Sequence, residues 1–146
     1  MKAADFFRKE EKEQITFAIK EAEKNTSGEI RVHLELTCNE DVLDRASYLF
    51  EKLKMHKTHL RNGVLFYLAV TDRKFAILGD AGINKVTPED FWDHIKNKVL
   101  NYFSEDKFAE GLSEGIKMTG EALKENFPYQ KDDVNELSDE ISFGKS

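Results

Sequence analysis

Val64-Leu65-Phe66-Tyr67-Leu68-Ala69-Val70 is an unbroken apolar run between Asn62-Gly63 and Thr71-Asp72-Arg73. It is short, bounded by turn residues and rich in β-formers, and its apolar character is continuous rather than alternating. That pattern predicts a central strand covered on both faces. Lys74-Phe75-Ala76-Ile77-Leu78 follows after a tight turn and predicts a second strand, antiparallel to the first. Upstream, Glu29-Ile30-Arg31-Val32-His33-Leu34-Glu35-Leu36 alternates strictly, with Ile30, Val32, Leu34 and Leu36 on one face and charged residues on the other. This predicts a half-buried strand near a sheet edge. Between the two lies a helical stripe, Val42, Ala46, Leu49, Phe50 and Leu53, with Asn39 as the expected N-cap and Glu40 and Asp41 in the first turn. A strand, a helix and a strand in that order form a parallel pair with a right-handed crossover. The expectation is an α/β three-layer sandwich: a small mixed β-sheet with helices on both faces.

The flanks supply the other helices. Residues 8–25 repeat Ile15, Ala18, Ile19 and Ala22 at helical spacing, with Gly28 as a stop. Gly79-Asp80-Ala81-Gly82 reads as the turn that ends the third strand. Thr87-Pro88-Glu89-Asp90 reads as a helix start, with Phe91, Ile95, Val99 and Tyr102 on the buried face. A last helix carries Phe108, Leu112, Ile116, Thr119 and Leu123. Its Gly111, Gly115 and Gly120 each weaken it by about 1 kcal/mol relative to alanine, which predicts close packing on a neighbour. Pro128 ends it. The expected organisation is one domain over residues 1–129 and an acidic C-terminal tail over 130–146, either mobile or extended along the body. Val134, Leu137 and Ile141 in that tail are spaced to lay one apolar side on a surface, of the body or of a protein partner.

Charge and composition exclude several classes. Of 146 residues 34% are charged, and the net charge is −6, of which −4 falls in residues 132–146. No concentrated basic face exists to neutralise phosphates, so nucleic acid is not an expected partner. No stretch approaches the ~20 apolar residues of a membrane span. The first residues lack the apolar core of a secretory signal, and Cys38 is the single cysteine; both suit a cytoplasmic location.

The sequence holds no nucleophile elbow, P-loop, dinucleotide fingerprint or zinc motif. Acidic residues are the remaining carriers of chemistry. At the carboxyl ends of the two parallel strands, where ligands collect in open α/β sheets, stand Asp41, Asp44 and Asp72. Three carboxylates with nearby carbonyl and hydroxyl oxygens suit a hard cation, Ca2+ or Mg2+. The bland alternative is a helix cap and a hairpin turn. The opposite end holds Glu29, Arg61, Asn62 and Asp80, where Glu29 and Arg61 could form a plain ion pair.

Five stretches in order resemble the TPM domain family, which is named for a thylakoid lumen protein, a photosystem II repair protein and a nematode receptor-associated protein. They are Thr26–Val32, Ala46–Leu53, Arg61–Tyr67, Asp72–Ile83 and Asp106–Leu112. The resemblance spans roughly residues 8–127 and implies the same sandwich. It also implies an acid phosphatase or a calcium-binding domain, since relatives have been described as each. Asp41 matches an acid common at the start of the second helix, and Asp72 and Asp80 flank the hairpin strand. Asp106-Lys107 stands where relatives often carry a glycine-aspartate pair. The leading expectation is a divalent-cation site, with calcium the expected ion, at Asp41, Asp44 and Asp72, with Glu29 and Asp80 as the second candidate and Asn62 beside them. In a metal-assisted phosphatase Arg73 would stabilise the developing charge. A metal-independent interaction module using the tail is the third reading.

Overall fold

A computed structural model describes residues 1–130 and 136–144. The elements are α1 (Lys9–Ala22), β1 (Glu29–Glu35), α2 (Val42–Lys52), β2 (Gly63–Ala69), β3 (Lys74–Gly79), α3 (Ala81–Asn84), α4 (Asp93–Ser104), α5 (Phe108–Leu123) and β4 (Ser142–Phe143), with 3-10 turns at Ala3–Asp5 and Met55–Lys57. The sheet order is β3-β2-β1-β4. β1 runs parallel to β2, Glu29 opposite Gly63 through Glu35 opposite Ala69. β2 and β3 form the antiparallel hairpin. The mixed sheet and the parallel crossover follow the sequence pattern.

Two apolar cores sandwich the sheet. Ile30, Val32 and Leu34 of β1 and Val64, Phe66 and Leu68 of β2 face a core built with α1, α4 and α5. Leu65, Tyr67 and Ala69 of β2 and Ala76 of β3 face the other, smaller core, under Ala46, Leu49 and Phe50 of α2. This is why β2 is apolar throughout while β1 alternates. α2 packs over β3 and β2 and reaches the polar face of β1, which carries Glu29, Arg31, His33 and Glu35, through the Arg45–Glu35 pair. The three glycines of α5 do lie at close approaches. A Cβ on Gly115 would stand 2.5 Å from Val99 of α4, and one on Gly120 would stand 2.9 Å from Ala22 of α1.

Three local expectations are corrected. Asp41, not Asn39, caps α2: its carboxylate accepts from the Leu43 and Asp44 amides at 2.9 and 3.1 Å. Residues 81–84 form a short helix capped by Asp80 instead of a plain turn. The helix expected from Thr87-Pro88 begins only at Asp93. The Thr87 hydroxyl donates instead to the Ile83 carbonyl at 2.8 Å. Trp92, whose indole a Cβ on Gly79 would meet at 2.8 Å, is held against the end of β3, and the helix starts after it.

The C-terminal segment lies on the body. Ser142 and Phe143 pair in parallel with His33 and Leu34 as the edge strand β4. Leu137 packs on the α2-side core and Ile141 and Phe143 on the opposite one, so Leu137 and Ile141 do not share one face. Val134 falls outside the described residues.

Candidate functional site

Of the acids expected at the carboxyl ends of β1 and β2, Asp41 and Asp72 are engaged by backbone amides. Asp41 caps α2. Asp44 stands exposed in the first turn. The Asp72 carboxylate accepts from the Cys38 amide at 2.8 Å, tying the hairpin turn to the segment after β1. Arg73 pairs with Asp106 at 2.8 Å, both exposed, and lies over the Phe108 ring. The Asp44 amide donates to the Asp41 carboxylate, and no hydrogen bond or ion pair joins Asp72 to either of them among the described residues. Nor do any three His, Cys, Asp or Glu side chains among them stand gathered as ready ligands.

What does converge at this end is a satisfied network around Glu35. Arg45 of α2 reaches across and donates twice to its carboxylate, at 2.9 and 2.6 Å, and the Tyr67 hydroxyl donates at 2.6 Å. Burial alone would raise the Glu35 carboxyl, but these donors overcome it and hold it at about 2. His33, 4% exposed, has its Nδ1 2.7 Å from the Ser142 hydroxyl and its Nε2 3.7 Å from Glu35. Burial lowers its pKa against the pull of Glu35. A cavity of about 620 Å3 opens beside this network, walled by Cys38, Arg45, Leu53 and, from the C-terminal segment, Ser142, Phe143 and Gly144. A groove of similar size, about 630 Å3, runs between α1 and α5; its Glu21 is paired with Lys24 at 2.5 Å.

The amino end of β1 is built differently. Asp80 and Arg61 form a bidentate pair at 2.7 and 2.8 Å, so the Glu29–Arg61 pair that the sequence allowed does not form. The reason is the backbone. The Gly82 amide donates to the Arg61 carbonyl at 2.9 Å, and Gly82 lies so close to that carbonyl that no Cβ would fit. This holds Arg61 beside the cap of α3. Asn62, 2% exposed, accepts the Glu29 amide on its carbonyl at 3.3 Å and donates its side chain to Ser27 at 3.3 Å.

Glu29 itself, 4% exposed, forms no ion pair among the described residues. Its Oε1 accepts from the Glu136 and Leu137 amides. Its Oε2 is buried with no partner, as is Oδ1 of Asp139. Glu23, just past α1, accepts the Ile30 amide at 3.0 Å and shares a side-chain hydrogen bond with Asp139. A hydrogen bond between two carboxyls requires a proton on one of them. Burial first, then Asp139, pushes Glu23 up to about 9. Burial pushes Glu29 to about 7 despite its two amide donors, and Glu136 and Asp139 add to the rise. Among the described residues Glu23, Glu29, Glu136 and Asp139 form no ion pair. Arg31, next on that face of β1, has its Nε buried without a partner.

Glu29 was legible as a candidate. Glu23 and Asp139 were not singled out. An acid at the C-terminal end of a helix, where the dipole favours cations, was the available signal for Glu23. Asp139 reaches the site only through the return of the tail.

The family model of the TPM domain matches residues 1–122. The fold is similar to the NMR structure of the BA42 protein from the psychrophilic bacterium Bizionia argentinensis, at TM-score 0.91 and 51% identity, covering 96% of this chain and 97% of that one. It is also similar to the solution NMR structure of the N-terminal domain of the cg2496 protein from Corynebacterium glutamicum, at TM-score 0.62 and 13% identity, covering 97% and 82%, a likeness of fold alone. No curated protein matches the sequence. No helix among the described residues is long and apolar enough to cross a membrane.

Proposed function

On the premise that this chain belongs to the TPM domain family, we propose that it binds a divalent cation, calcium by preference, at Glu23, Glu29 and Asp139. The observation that carries this reading is the Glu29 carboxylate: nearly buried, with one oxygen lacking any partner and other carboxyls around it. An ionised buried carboxylate is strongly disfavoured unless a cation or hydrogen bonds compensate it. Among the described residues no side-chain cation pairs with these carboxylates, and a hard ion would supply the charge. The carboxylates come from three separate segments and are not yet gathered to ligand distance. Calcium, with six to eight oxygens in flexible geometry at about 2.3–2.6 Å, suits such a set better than magnesium, which demands a near-ideal octahedron. Water would complete the shell. The role is binding or regulatory. A cytoplasmic location is part of this proposal and fits the lone, buried Cys38.

Titration of the full chain with calcium chloride, followed by amide NMR, tests it. Shifts should concentrate at residues 23, 29–30 and 136–139, and the double variant Glu29→Gln/Asp139→Asn should abolish them. Shifts confined to residues 37–44 and 71–74 would move the site to the other end of the sheet, and no shift at millimolar calcium would remove it.

A further inference from the structure

α1 and α5 lie side by side and run the same way. Phe6, just ahead of α1, meets Phe108 at the start of α5, with ring centroids 5.5 Å apart. At the far end a Cβ on Gly120 would stand 2.9 Å from Ala22. The buried residues of α1 are Ile15, Ile19 and Ala22. Phe17 lies off that stripe and is 65% exposed, the most exposed aromatic side chain among the described residues. It stands on the 630 Å3 groove between the two helices. Ala18 and Ala22 also line this groove, and such small side chains leave the depression unfilled.

The rim of the groove is acidic. On α5, Glu110, Glu114, Lys117 and Glu121 follow one another at steps of four, three and four, which puts them in one row along the helix. On α1, Glu21 is engaged by Lys24. The four charged side chains of the α5 row form no ion pair among the described residues. Three carboxylates therefore stand against one ammonium, a net charge of −2. From Glu110 to Glu121 the row extends over about 16 Å, roughly three turns of helix.

We propose that this groove docks a basic amphipathic helix of a partner protein. An apolar side chain of that helix packs against Phe17, and its Lys or Arg side chains meet Glu110, Glu114 and Glu121. The carboxylates recur at helical spacing, so a second helix laid alongside α5 matches them with cations three and four residues apart. The sign of the rim disfavours nucleic acid and anionic membrane surfaces, which it would repel. Phe17 has the character of an interface anchor, an aromatic side chain presented in a groove. The rim charges steer the encounter and fix the register of the docked helix.

Amide NMR of the full chain tests this, in a titration at low ionic strength with a synthetic peptide of about four helical turns, leucines forming one stripe and lysines the remainder. A scrambled peptide of the same composition is the control. Chelator is present throughout, so the outcome does not depend on the cation site proposed above. The expected result is saturable shifts at residues 17–24 and 110–121, with binding of the scrambled peptide weaker by about tenfold or more. Phe17→Ala and the double variant Glu110→Gln/Glu121→Gln should each weaken binding of the helical peptide by about tenfold. All three positions are exposed, so thermal unfolding of the variants should match that of the parent. Shifts concentrated at residues 40–44 or 136–140, equal binding of the scrambled peptide, variants that bind as well as the parent, or no shift at millimolar peptide would each overturn the proposal. Shifts of the groove amides that grow with protein concentration in the absence of peptide would also overturn it, by assigning the groove to a second copy of the chain.

Discussion

Glu29 and Glu35 stand at the two ends of one strand, on the same face, 4% and 8% exposed. Glu35 has a guanidinium, a tyrosine hydroxyl and a pKa held at about 2. Glu29 has two backbone amides, acidic neighbours and a pKa near 7. The same residue type at the same depth is thus fully compensated at one end and partly compensated at the other. Burial does not decide the state of a carboxylate; the charge that the fold places beside it does. The compensated end belongs to the architecture, because Arg45 ties α2 to β1 through it. The uncompensated end is where a charge from outside the chain has a place to act.

The sharpest way to break this comparison is to strip the compensation from the good end. Arg45→Ala leaves Glu35 buried with only Tyr67, and should cost about 3–5 kcal/mol in urea unfolding. Glu29→Gln, which keeps an acceptor for the two amides and discards the charge, should be neutral or slightly stabilising in chelator. If both variants lose the same stability, the two ends are alike and the distinction fails.

The pH dependence comes next. Glu35, whose folded pKa lies below its ordinary 4.5, contributes stability that is complete above 4.5 and lost as pH falls toward about 2. Glu23 has the opposite sign. Its folded pKa is raised from 4.5 to about 9, so its contribution is complete below 4.5 and lost as pH rises toward 9. In chelator, stability should therefore decline between about pH 5 and 9. Calcium at about a hundred times its dissociation constant should restore about 2.7 kcal/mol in the upper part of that window. Thermal unfolding across pH with and without calcium checks this; a decline untouched by calcium removes the ion from the account.

The fold was legible because its signals are local. A run apolar on both faces, a strand that alternates and two helical stripes specify the sandwich, and the glycines of α5 announced their neighbours. The Thr87-Pro88 start misled because capping preference acts within a turn, whereas Trp92 is held by Gly79 thirteen residues earlier. The candidate site was half legible for the same reason. Glu29 sits in a readable strand, but its companions arrive from the end of α1 and from a two-residue strand, Ser142–Phe143, too short for any periodicity. Its pairing is set by His33, Leu34 and a glycine at 144, where a Cβ would stand 2.9 Å from the Glu35 carboxylate. No pattern within the tail encodes contacts that far away.

The smallest effect concerns the acids that composition favoured. Asp41 offers its carboxylate to two amides at the start of α2, which is the work of a cap. Asp41→Ala should cost about 1 kcal/mol, near the usual loss on removing such a residue. Asp41→Asn, which keeps the acceptor, should cost less. Neither change should alter calcium affinity, because the carboxylate lies at the end of β1 away from Glu29. Parallel urea and calcium titrations of the two variants separate the possibilities. A loss of stability with unchanged affinity keeps Asp41 a cap. A fall in affinity in both variants would return the ion to the carboxyl ends of the strands, where the density of acids in the sequence first placed it.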